Sequence, residues 1–465
     1  MMKTVKFSIG YNHDMGLLDL LEEFKSNIEA VYFPVPYQFL SSGRNLPQGK
    51  DYIGEIVKII KKCNSLNIIP ELLLNATCDG GRGLKKNFPA DMIKYIKELK
   101  DLGLKNIIVT NPVYISRIRK EIKDITIESS VNCYIKTVEH ASYLKDLGVD
   151  ILTIDRDINR DIPLIKKIKK STGLKIKIML NEGCLKNCPF RNVHYNYLSH
   201  STTKENSQNS ILSDYFCYTI YSKNPEKVFK TPFIPPEALG YYIDFVDYFK
   251  LSTRVFDLPR IKRCLEAYKE QRFSGNLLNI LDSPGLSYFS FINHDALKKN
   301  NYFLKMLKCD ENCAECNYCN RLKQEAAIIN TSLLKGEERN KEDAKAIVVF
   351  ERLLKDFPKE SAIYLGLAKA YLHFKKYKEA IEILSKALSF NLNNANICYL
   401  LGVCYVGVED FNNAIENLKK AKEKGFKSAR VNFLLSGCYR RIKMKKKALR
   451  ELDEGIQKIK EVNVV

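Results

Sequence analysis

The stretch Leu174-Lys175-Ile176-Lys177-Ile178-Met179-Leu180 has the composition of a β-strand, and it runs directly into Asn181-Glu182-Gly183-Cys184-Leu185-Lys186-Asn187-Cys188-Pro189-Phe190-Arg191. Two thiols, Cys184 and Cys188, therefore follow the end of a strand, and Cys217 lies later in the same long excursion. In parallel α/β folds, the loops that leave the carboxyl ends of strands carry the chemistry. Three cysteines in such a loop favour a metal ion or an iron–sulfur cluster.

Working outward from this stretch, strand patterns alternate with amphipathic helical patterns through the first 265 residues. Pro89–Lys100 is one example of a helix, with its apolar residues at helical spacing. Glycines stand between helices and the strands that follow, as they do at helix C-termini. The predicted strands are residues 4–9, 29–33, 67–74, 106–110, 125–129, 151–154, 174–180 and 246–251, and the glycines are Gly103, Gly148 and Gly173.

Eight strand–helix units over about 260 residues predict a TIM-like (β/α)8 barrel. An open, doubly wound sheet is the alternative, although no Gly-x-Gly-x-x-Gly follows the first strand pattern. The barrel is predicted over residues 1–265, with a cysteine-bearing insertion at 181–240. A cysteine-rich extension follows at 266–327, and an all-α region occupies 328–465.

The C-terminal region carries an internal repeat of 34 residues, which predicts a tetratricopeptide (TPR) solenoid. Small residues at this step let paired helices approach closely, and larger ones fill the space between repeats. The predicted function of such an array is to bind a protein or peptide in its groove. The series are Ala346, Ala380, Ala414 and Ala448; Tyr371, Tyr405 and Tyr439; Leu367, Leu401 and Leu435; Phe350, Leu384, Leu418 and Leu452; and Ala387, Ala421 and Gly455.

Composition and hydropathy bear on where the protein is located and on what it can bind. No run approaches the length of a membrane-spanning helix, and the first residues lead into a strand pattern without a signal-peptide core, so we expect a cytoplasmic protein. Fourteen cysteines in such a compartment call for an explanation other than disulfides. The net charge of +21 permits binding to RNA without demonstrating it.

A second cysteine cluster, Cys309-x3-Cys313-x2-Cys316-x2-Cys319, lies in the extension between barrel and repeats. Three roles are open for these four thiols. In the first, one of the four cysteines supplies a further ligand to the site of Cys184, Cys188 and Cys217. In the second, all four hold a second iron–sulfur cluster, and in the third they bind a structural zinc ion. We predict that this segment folds back over the barrel mouth.

Residues 3–265 resemble peptidase family U32, the collagenase-like peptidases and their relatives. The resemblance rests on the strand order and on four motifs: Glu128-Ser129-Ser130-Val131-Asn132, Asp155-Arg156, the cysteine loop, and Phe249-Lys250-Leu251-Ser252-Thr253-Arg254. It implies an enzyme with a 4Fe–4S cluster that hydroxylates RNA bases or quinone precursors without oxygen, using prephenate as the oxygen source. Peptidase activity is the family's older assignment, but no His-Glu-x-x-His or serine triad is evident in the sequence.

The resemblance also suggests site residues. Cys184, Cys188 and Cys217 are the cofactor ligands that it implies, whereas the family usually has four cysteines here. Lys250 and Arg254 stand at the end of the last strand, where a pair of cations suits a dicarboxylate substrate. Two residues close to the first thiols are further catalytic candidates because they can position a substrate or transfer a proton, and these are Arg191 and His194.

Three classes of function are consistent with these patterns. The first is an iron–sulfur enzyme that modifies an RNA, a quinone precursor or a peptide, with the repeats recruiting a protein partner or substrate. The second is a U32-type peptidase that acts on a polypeptide held by the repeats. The third is a non-catalytic TPR scaffold that a metal stabilises.

Overall fold

The structure is a computed structural model, and two compact units make up the chain. The first unit is residues 1–286 with 294–323, and the second is 287–293 with 324–465. The finer domain boundaries at 265 and 327 remain predictions. Much of the predicted insertion, residues 201–216 and 218, lies outside the described residues, which are 5–40, 42, 43, 48–84, 90–200, 217, 219–313, 315–334, 336–390, 392 and 394–464.

The first unit contains a closed barrel of eight parallel strands, each paired with the next along the chain. Phe7 of the first strand pairs with Phe249 of the last, which closes the sheet on itself. The predicted barrel is therefore confirmed, and the alternative of an open sheet is wrong. The strands are β1 (Phe7–Gly10), β2 (Ile28–Pro34), β3 (Ile69–Leu74), β4 (Asn106–Val109), β5 (Thr126–Ser129), β6 (Ile151–Thr153), β7 (Lys175–Met179) and β8 (Tyr248–Lys250).

Helices connect these strands, and polar caps set where several begin. Asn111, Thr137 and Asp161 each accept a hydrogen bond from a backbone N–H of the first helical turn. Gly173 ends one helix with a φ of 68°, as predicted from its position before the strand β7. The helices are α1 (Leu17–Glu23), α2 (Tyr52–Ser65), α3 (Ala90–Asp101), α4 (Pro112–Glu121), α5 (Val138–Asp146), α6 (Ile162–Thr172), α7 (Arg191–His200) and α8 (Leu258–Lys269).

A charged cluster is buried inside the barrel, beneath its mouth. The Lys177 ammonium donates hydrogen bonds to Glu71, at 2.9 Å, and to Glu128. Ser8 and Thr153 donate to these two carboxylates at 2.8 and 2.7 Å. Burial opposes ionisation of Lys177, but its two carboxylate neighbours raise its pKa. The cluster is therefore held together by mutual compensation of charge in a buried site.

The remainder of the first unit holds the second cysteine cluster. Cys309, Cys313 and Cys316 lie in the loop that follows the helix Tyr302–Leu307, and Cys319 lies in the first turn of the helix that begins at Tyr318. The elements of this extension are α9 (His294–Lys299), α10 (Tyr302–Leu307) and α11 (Tyr318–Ala326).

The second unit is an array of helices preceded by two short antiparallel strands, β9 (Phe289–Ile292) and β10 (Ala327–Ile329). Consecutive helices pack against one another, which confirms the all-α, TPR-like region. No helix in the described ranges is long and apolar enough to cross a membrane. The helices are α12 (Gly336–Asp356), α13 (Ser361–His373), α14 (Tyr377–Ser389), α15 (Ala395–Gly407), α16 (Phe411–Glu423), α17 (Arg430–Arg441) and α18 (Lys445–Val464).

The 34-residue series accounts for the core of this array. All four alanines of the first series are buried, as are Leu384 and Leu418 of the fourth. Leu452 continues that fourth series but is 37% exposed. Burial of the small and leucine positions shows why the same spacing recurs: each repeat places equivalent residues between its own helices and the next pair.

Three cysteines of the repeats are buried among apolar residues, at Cys398, Cys404 and Cys438. We expect residues 328–465 to be helical without metal, and each cysteine-to-serine change to cost about 1–3 kcal/mol because a hydroxyl is then buried. Circular dichroism of this segment measures its helicity without metal, and urea unfolding measures the stability cost of each change. Lys419→Ser, at an exposed position of α16, controls for the effect of serine on the helix. A helical signal that requires metal would contradict the prediction.

Candidate active site

The mouth of the barrel contains a small cavity of about 40 Å³ at the carboxyl ends of the strands. Side chains from six strand ends and from α7 meet there. The polar and aromatic residues that line it are Tyr32, Asn75, Ser130, Asn132, Arg156, Glu182, Tyr195, Lys250, Ser252 and Arg254.

Arg156 is a cation of the mouth that makes several polar contacts, and it is buried. Its guanidinium donates to the Tyr195 hydroxyl at 2.9 Å and to the Asn132 side-chain oxygen at 3.0 Å. Its Nε lies 3.2 Å from a Glu182 carboxylate oxygen. Burial works against its charge, but Tyr195, Glu182 and Cys184 raise its pKa. Arg156 therefore joins the mouth to the loop that carries the first thiols.

Lys250 and Arg254 are the other two cations that line this cavity. The sequence places them together at the end of the last strand. The Lys250 Nζ lies 4.0 Å from the centre of the Tyr32 ring. Burial lowers the pKa of Lys250 to about 8, and the nearby ammonium of Lys177 and guanidinium of Arg254 act in the same direction. Arg254 donates to the Ser42 hydroxyl at 3.0 Å. Glu182 is the one carboxylate among the lining residues described above, so the cavity is positively charged.

The cysteine loop is held in place by Asp157. This carboxylate accepts two hydrogen bonds from Arg191, at 2.5 and 2.8 Å, and one from the backbone N–H of Asn187 at 3.0 Å. Arg191 also donates to the carbonyl oxygen of Leu185 at 2.7 Å. Burial of Asp157 disfavours its charge, yet the bonds from Arg191 and Lys136 lower its pKa to about 2. Arg191 thus orders the loop and does not line the mouth cavity.

The first three thiols lie close together. Cys188 and Cys217 are hydrogen-bonded to each other, and Cys184 is near enough to influence Cys217 electrostatically. The bond from Cys217 lowers the pKa of Cys188 to about 6, with help from the backbone N–H of Phe190. The backbone of Gly285 packs against Cys217, where a Cβ atom would lie 2.4 Å from the cysteine Cβ. Any larger residue at 285 would displace this thiol.

These donors fit an iron–sulfur cluster by their chemistry. Cys184 and Cys188 lie in the loop after β7, Cys217 is in a helical conformation, and all three thiols are partly buried. The guanidinium groups of Arg156 and Arg191 both interact electrostatically with Cys184. Such cations compensate the negative charge that thiolate-bound clusters carry. Over the described residues, no three His, Cys, Asp or Glu side chains form a group that could hold a metal ion. The fit therefore rests on the donor set and its charge environment.

The second group of thiols is separate from the first. Cys309, Cys313, Cys316 and Cys319 line another cavity, of about 630 Å³, which none of the first three thiols lines. The two loops touch through Glu311, which pairs with Lys186 at 2.6 Å.

His194 lies on α7 beside Tyr195, with the two ring centres 5.7 Å apart, and it is not among the residues that line the mouth. The structure thus brings Lys250 and Arg254 together and places Arg191 and His194 outside the cavity. The catalytic role of all four remains a prediction.

Sequence reasoning did not select several residues of the site. Arg156 and Asn132 were noted only as parts of motifs, and Tyr195 was not assigned a role. Glu71 and Lys177 were also missed, although a charged residue in an otherwise apolar strand is a visible signal. Such a residue is never fully buried without a partner, so each pointed to a partner across the barrel.

Comparison with known proteins shows the family. Residues 24–186 match the model of peptidase family U32, and residues 339–421 match that of anaphase-promoting complex, cyclosome, subunit 3. A solved U32 peptidase is 18% identical with a TM-score of 0.41, covering 54% of this chain and 95% of its own. The solved structure of YrrB, a TPR protein with an unusual peptide-binding site, is 22% identical with a TM-score of 0.24. The match covers 32% of this chain and 71% of the YrrB chain.

One curated relative is aligned over most of its length. An uncharacterised protease of Methanocaldococcus jannaschii is 31% identical over 312 residues, which make up 66% of this chain and 90% of the relative. The barrel, its cysteine loop and the family model agree with this alignment: the chain belongs to peptidase family U32.

Proposed function

We propose that this chain is an iron–sulfur-dependent enzyme that binds a small carboxylate cosubstrate in the barrel mouth. The reaction is an oxygen-independent hydroxylation, or a related modification, of an RNA, a quinone precursor or a peptide. The observation that carries the proposal is the convergence of Arg156, Lys250 and Arg254 on one small cavity next to the loop of Cys184. This pairing of an anion site with thiols is what such an enzyme requires.

The cations have different tasks in this proposal. Arg156 is already paired with Glu182, so its charge is largely compensated and its role is to shape the cavity. Lys250 and Arg254 supply the charge that binds the carboxylate, and the planar guanidinium of Arg254 also fixes its orientation. Tyr195, held by Arg156, covers the cavity from α7. The reacting end of the cosubstrate then extends towards the thiol loop or the opening.

Cys184, Cys188 and Cys217 are the residues that would hold the cluster, and one or two 4Fe–4S clusters are consistent with the thiols of the chain. When bound, the cluster supplies one-electron or Lewis-acid chemistry. Arg191 and Asp157 act by ordering the loop, since the bidentate bond between them spans it. His194, on α7 next to Tyr195, is proposed to transfer a proton at the edge of the site.

The TPR-like repeats are proposed to recruit a protein partner or a polypeptide substrate. A small cavity in the barrel has no need of an extended groove, whereas helical repeats offer one. RNA remains a candidate substrate of the barrel because the chain carries a net charge of +21.

Peptidase activity is the second candidate function. It is favoured by the protease name of the aligned relative and by one contact in the mouth. The Ser252 hydroxyl donates a hydrogen bond to the buried carboxylate of Asp282. A general base next to a serine hydroxyl activates it as a nucleophile, and in this candidate function Asp282 would be that base. Loss of peptide cleavage in Ser252→Ala, with iron content unchanged, distinguishes this function from the first.

The test of the proposal is the triple variant Cys184→Ala, Cys188→Ala and Cys217→Ala, purified without oxygen. We expect it to lose the iron and the visible sulfur-to-iron absorption of this site together, since thiolates are the cluster ligands. Cys63→Ala, a buried cysteine of α2, is the matched control and keeps both. A triple variant with the full iron load would refute the cluster. A colourless protein containing zinc alone would favour the scaffold function.

A further inference from the structure

We infer that one side of the last helix, α18, docks an amphipathic helix of a partner protein whose polar residues are acidic. Two neighbouring features carry this inference: a stripe of exposed apolar residues along α18, and a basic corner where α17 passes into α18. The inference rests on the proposed recruitment function of the repeats and names its surface and its class of partner. The stripe is Leu449, Leu452, Ile456 and Ile459, and the basic corner is Arg440, Arg441, Lys443, Lys445, Lys446 and Lys447.

The stripe lies along one side of α18 and is open to solvent. Its four side chains are between 37% and 61% exposed. They follow one another at steps of three, four and three residues, the spacing at which helices pack side by side. Another side of α18 packs within the array, because Ala448 is buried and Gly455 lies against Asn432 and Phe433. Within the described residues, α18 therefore has a second apolar side that no helix covers.

An earlier helix of the array shows what covers such a side. Ile415 and Leu418 of α16 stand 34 residues before the first two members of the stripe, and both are buried in one cluster with residues of α17. The cover that fits this side is therefore another helix. The last two members of the stripe stand where α16 has Lys422 and Gly425. The repeat pattern does not account for these two isoleucines, which lengthen the stripe.

The basic corner indicates the charge of the partner. All six of its cations are exposed, and residues 424–450 contain ten Lys or Arg and no Asp or Glu. The turn itself does not require cations. Lys375, Glu409 and Lys443 occupy equivalent places in three turns of the array, with φ values of 57°, 59° and 61°, and the second turn continues with Asp410. A basic surface of this density attracts acidic residues.

The stripe and the basic corner form one continuous surface. Lys445 stands four residues before Leu449, and residues four apart are neighbours on one side of a helix. From Lys445 to Ile459 the surface is about 21 Å long, at about 1.5 Å per residue. A partner helix of about four turns covers the apolar stripe and reaches the lysines, where its acidic side chains pair with them. Burial of the apolar side chains then supplies affinity, and the charges set the orientation.

Two other occupants fit this surface less well. A nucleic acid would neutralise the basic corner through its phosphates, but it would leave the four apolar side chains in water. A second copy of this chain, paired antiparallel with the two stripes in register, would bring two Asp453 side chains together. A parallel copy would bring the two basic corners together. Like charges beside a helix pair disfavour the pairing, so an acidic amphipathic helix satisfies the surface best.

A synthetic helix tests the inference on the full chain by fluorescence anisotropy. The probe is a labelled peptide of three heptads, each Leu-Glu-Ala-Leu-Glu-Ala-Glu, which places its leucines on one side. We expect it to bind, and to bind more weakly as salt rises, because salt screens the attraction of exposed charges. A peptide of the same composition, with its leucines distributed around the helix, should bind at least about 10-fold more weakly because it cannot cover the stripe.

Two variants locate the binding surface. Leu452→Ser with Ile456→Ser changes the stripe, and Lys445→Glu with Lys446→Glu and Lys447→Glu reverses the charge of the corner. Each variant should weaken binding of the peptide at least about 10-fold, because each removes one of the two contributions. The corner variant should also lose the salt dependence. All of these positions are exposed, so circular dichroism should show an unchanged helical content.

The matched control makes the same charge reversal in the first of the three turns. Lys375→Glu with Lys376→Glu and Lys378→Glu, also at exposed positions, should bind the peptide as the unaltered chain does. The triple variant of the first three thiols, which tests the proposed enzyme, should bind normally as well. Failure of the enzyme and failure of the docking surface are therefore seen separately.

Four results would overturn the inference. One is an absence of peptide binding at concentrations up to about 1 mM. Another is equal binding of the two peptides, which would leave the stripe without a role. Tighter binding of an oligouridylate of similar length, lost in the corner variant, would assign the surface to nucleic acid. A dimer of the full chain in light scattering, which the stripe variant converts to a monomer, would assign the stripe to a second copy.

Discussion

Replacing Lys177 by methionine is expected to lower the free energy of unfolding of the barrel by about 3–5 kcal/mol. The change removes the ammonium that joins Glu71 and Glu128 and leaves two buried carboxylates with only the electrostatic interaction of Lys250 to compensate them. Both carboxylates are 2% exposed or less. Urea unfolding monitored by tyrosine fluorescence measures the effect. Lys175→Met, at an exposed position of the same strand, is the matched control and should change stability by less than about 1 kcal/mol.

A rescue experiment separates the loss of charge compensation from the loss of packing. Adding Glu128→Gln to Lys177→Met removes one carboxylate and one ammonium, so Glu71 faces Lys250 alone and much of the lost stability should return. Stability that stays as low as in the single variant would mean that the shape of the lysine, and not its charge, is what the barrel requires.

Replacing Arg254 by glutamine should weaken binding of a dicarboxylate by roughly 10- to 150-fold, or about 1.5–3 kcal/mol, because a charge-assisted hydrogen bond is lost. Prephenate, the cosubstrate implied by the family resemblance, is the probe, and calorimetric titration gives the Kd. Arg263→Gln, at an exposed position of α8, is the control and should bind as the unaltered protein does. Equal affinity in the two variants would place the anion elsewhere.

Binding of the same probe should depend on pH through Lys250. Burial lowers its pKa to about 8, so the ammonium is charged below that pH and neutral above it. An anion favours the charged form, and affinity should therefore fall as the pH rises through 8. Lys250→Met should bind more weakly at pH 7 and lose this pH dependence. A profile that is unchanged in the variant would assign the titration to another group.

The barrel was predictable from the sequence because its strands are short apolar runs at regular spacing, and the repeats because their spacing is constant. The charged interior was harder to foresee. Lys175 and Lys177 stand two residues apart on one strand, yet one is exposed and the other is buried. Only closure of the sheet, which brings Glu71 and Glu128 across the interior, reveals why the second can be buried.

The residues of the barrel mouth were also only partly predictable from the sequence. The similarity of Phe249-Lys250-Leu251-Ser252-Thr253-Arg254 to the family's closing motif selected Lys250 and Arg254, and both line one cavity. Arg191 has a local signal of its own, because it follows a strand end beside polar residues. Its partner Asp157, from a different loop, turns it away from the cavity and into the support of the cysteine loop. Such partners are distant in sequence, so local patterns do not identify them.

The mutual dependence of Glu71, Glu128 and Lys177 constrains how this barrel can evolve. Lys250 also interacts electrostatically with both carboxylates, so two carboxylates face two ammonium groups, and losing any one of the four leaves the buried set unbalanced. Selection removes chains that fall below the stability needed to fold. Among related barrels we therefore expect the four positions to vary jointly, with charges lost in pairs of opposite sign. Chains that lack a single one of the four charges should be rare.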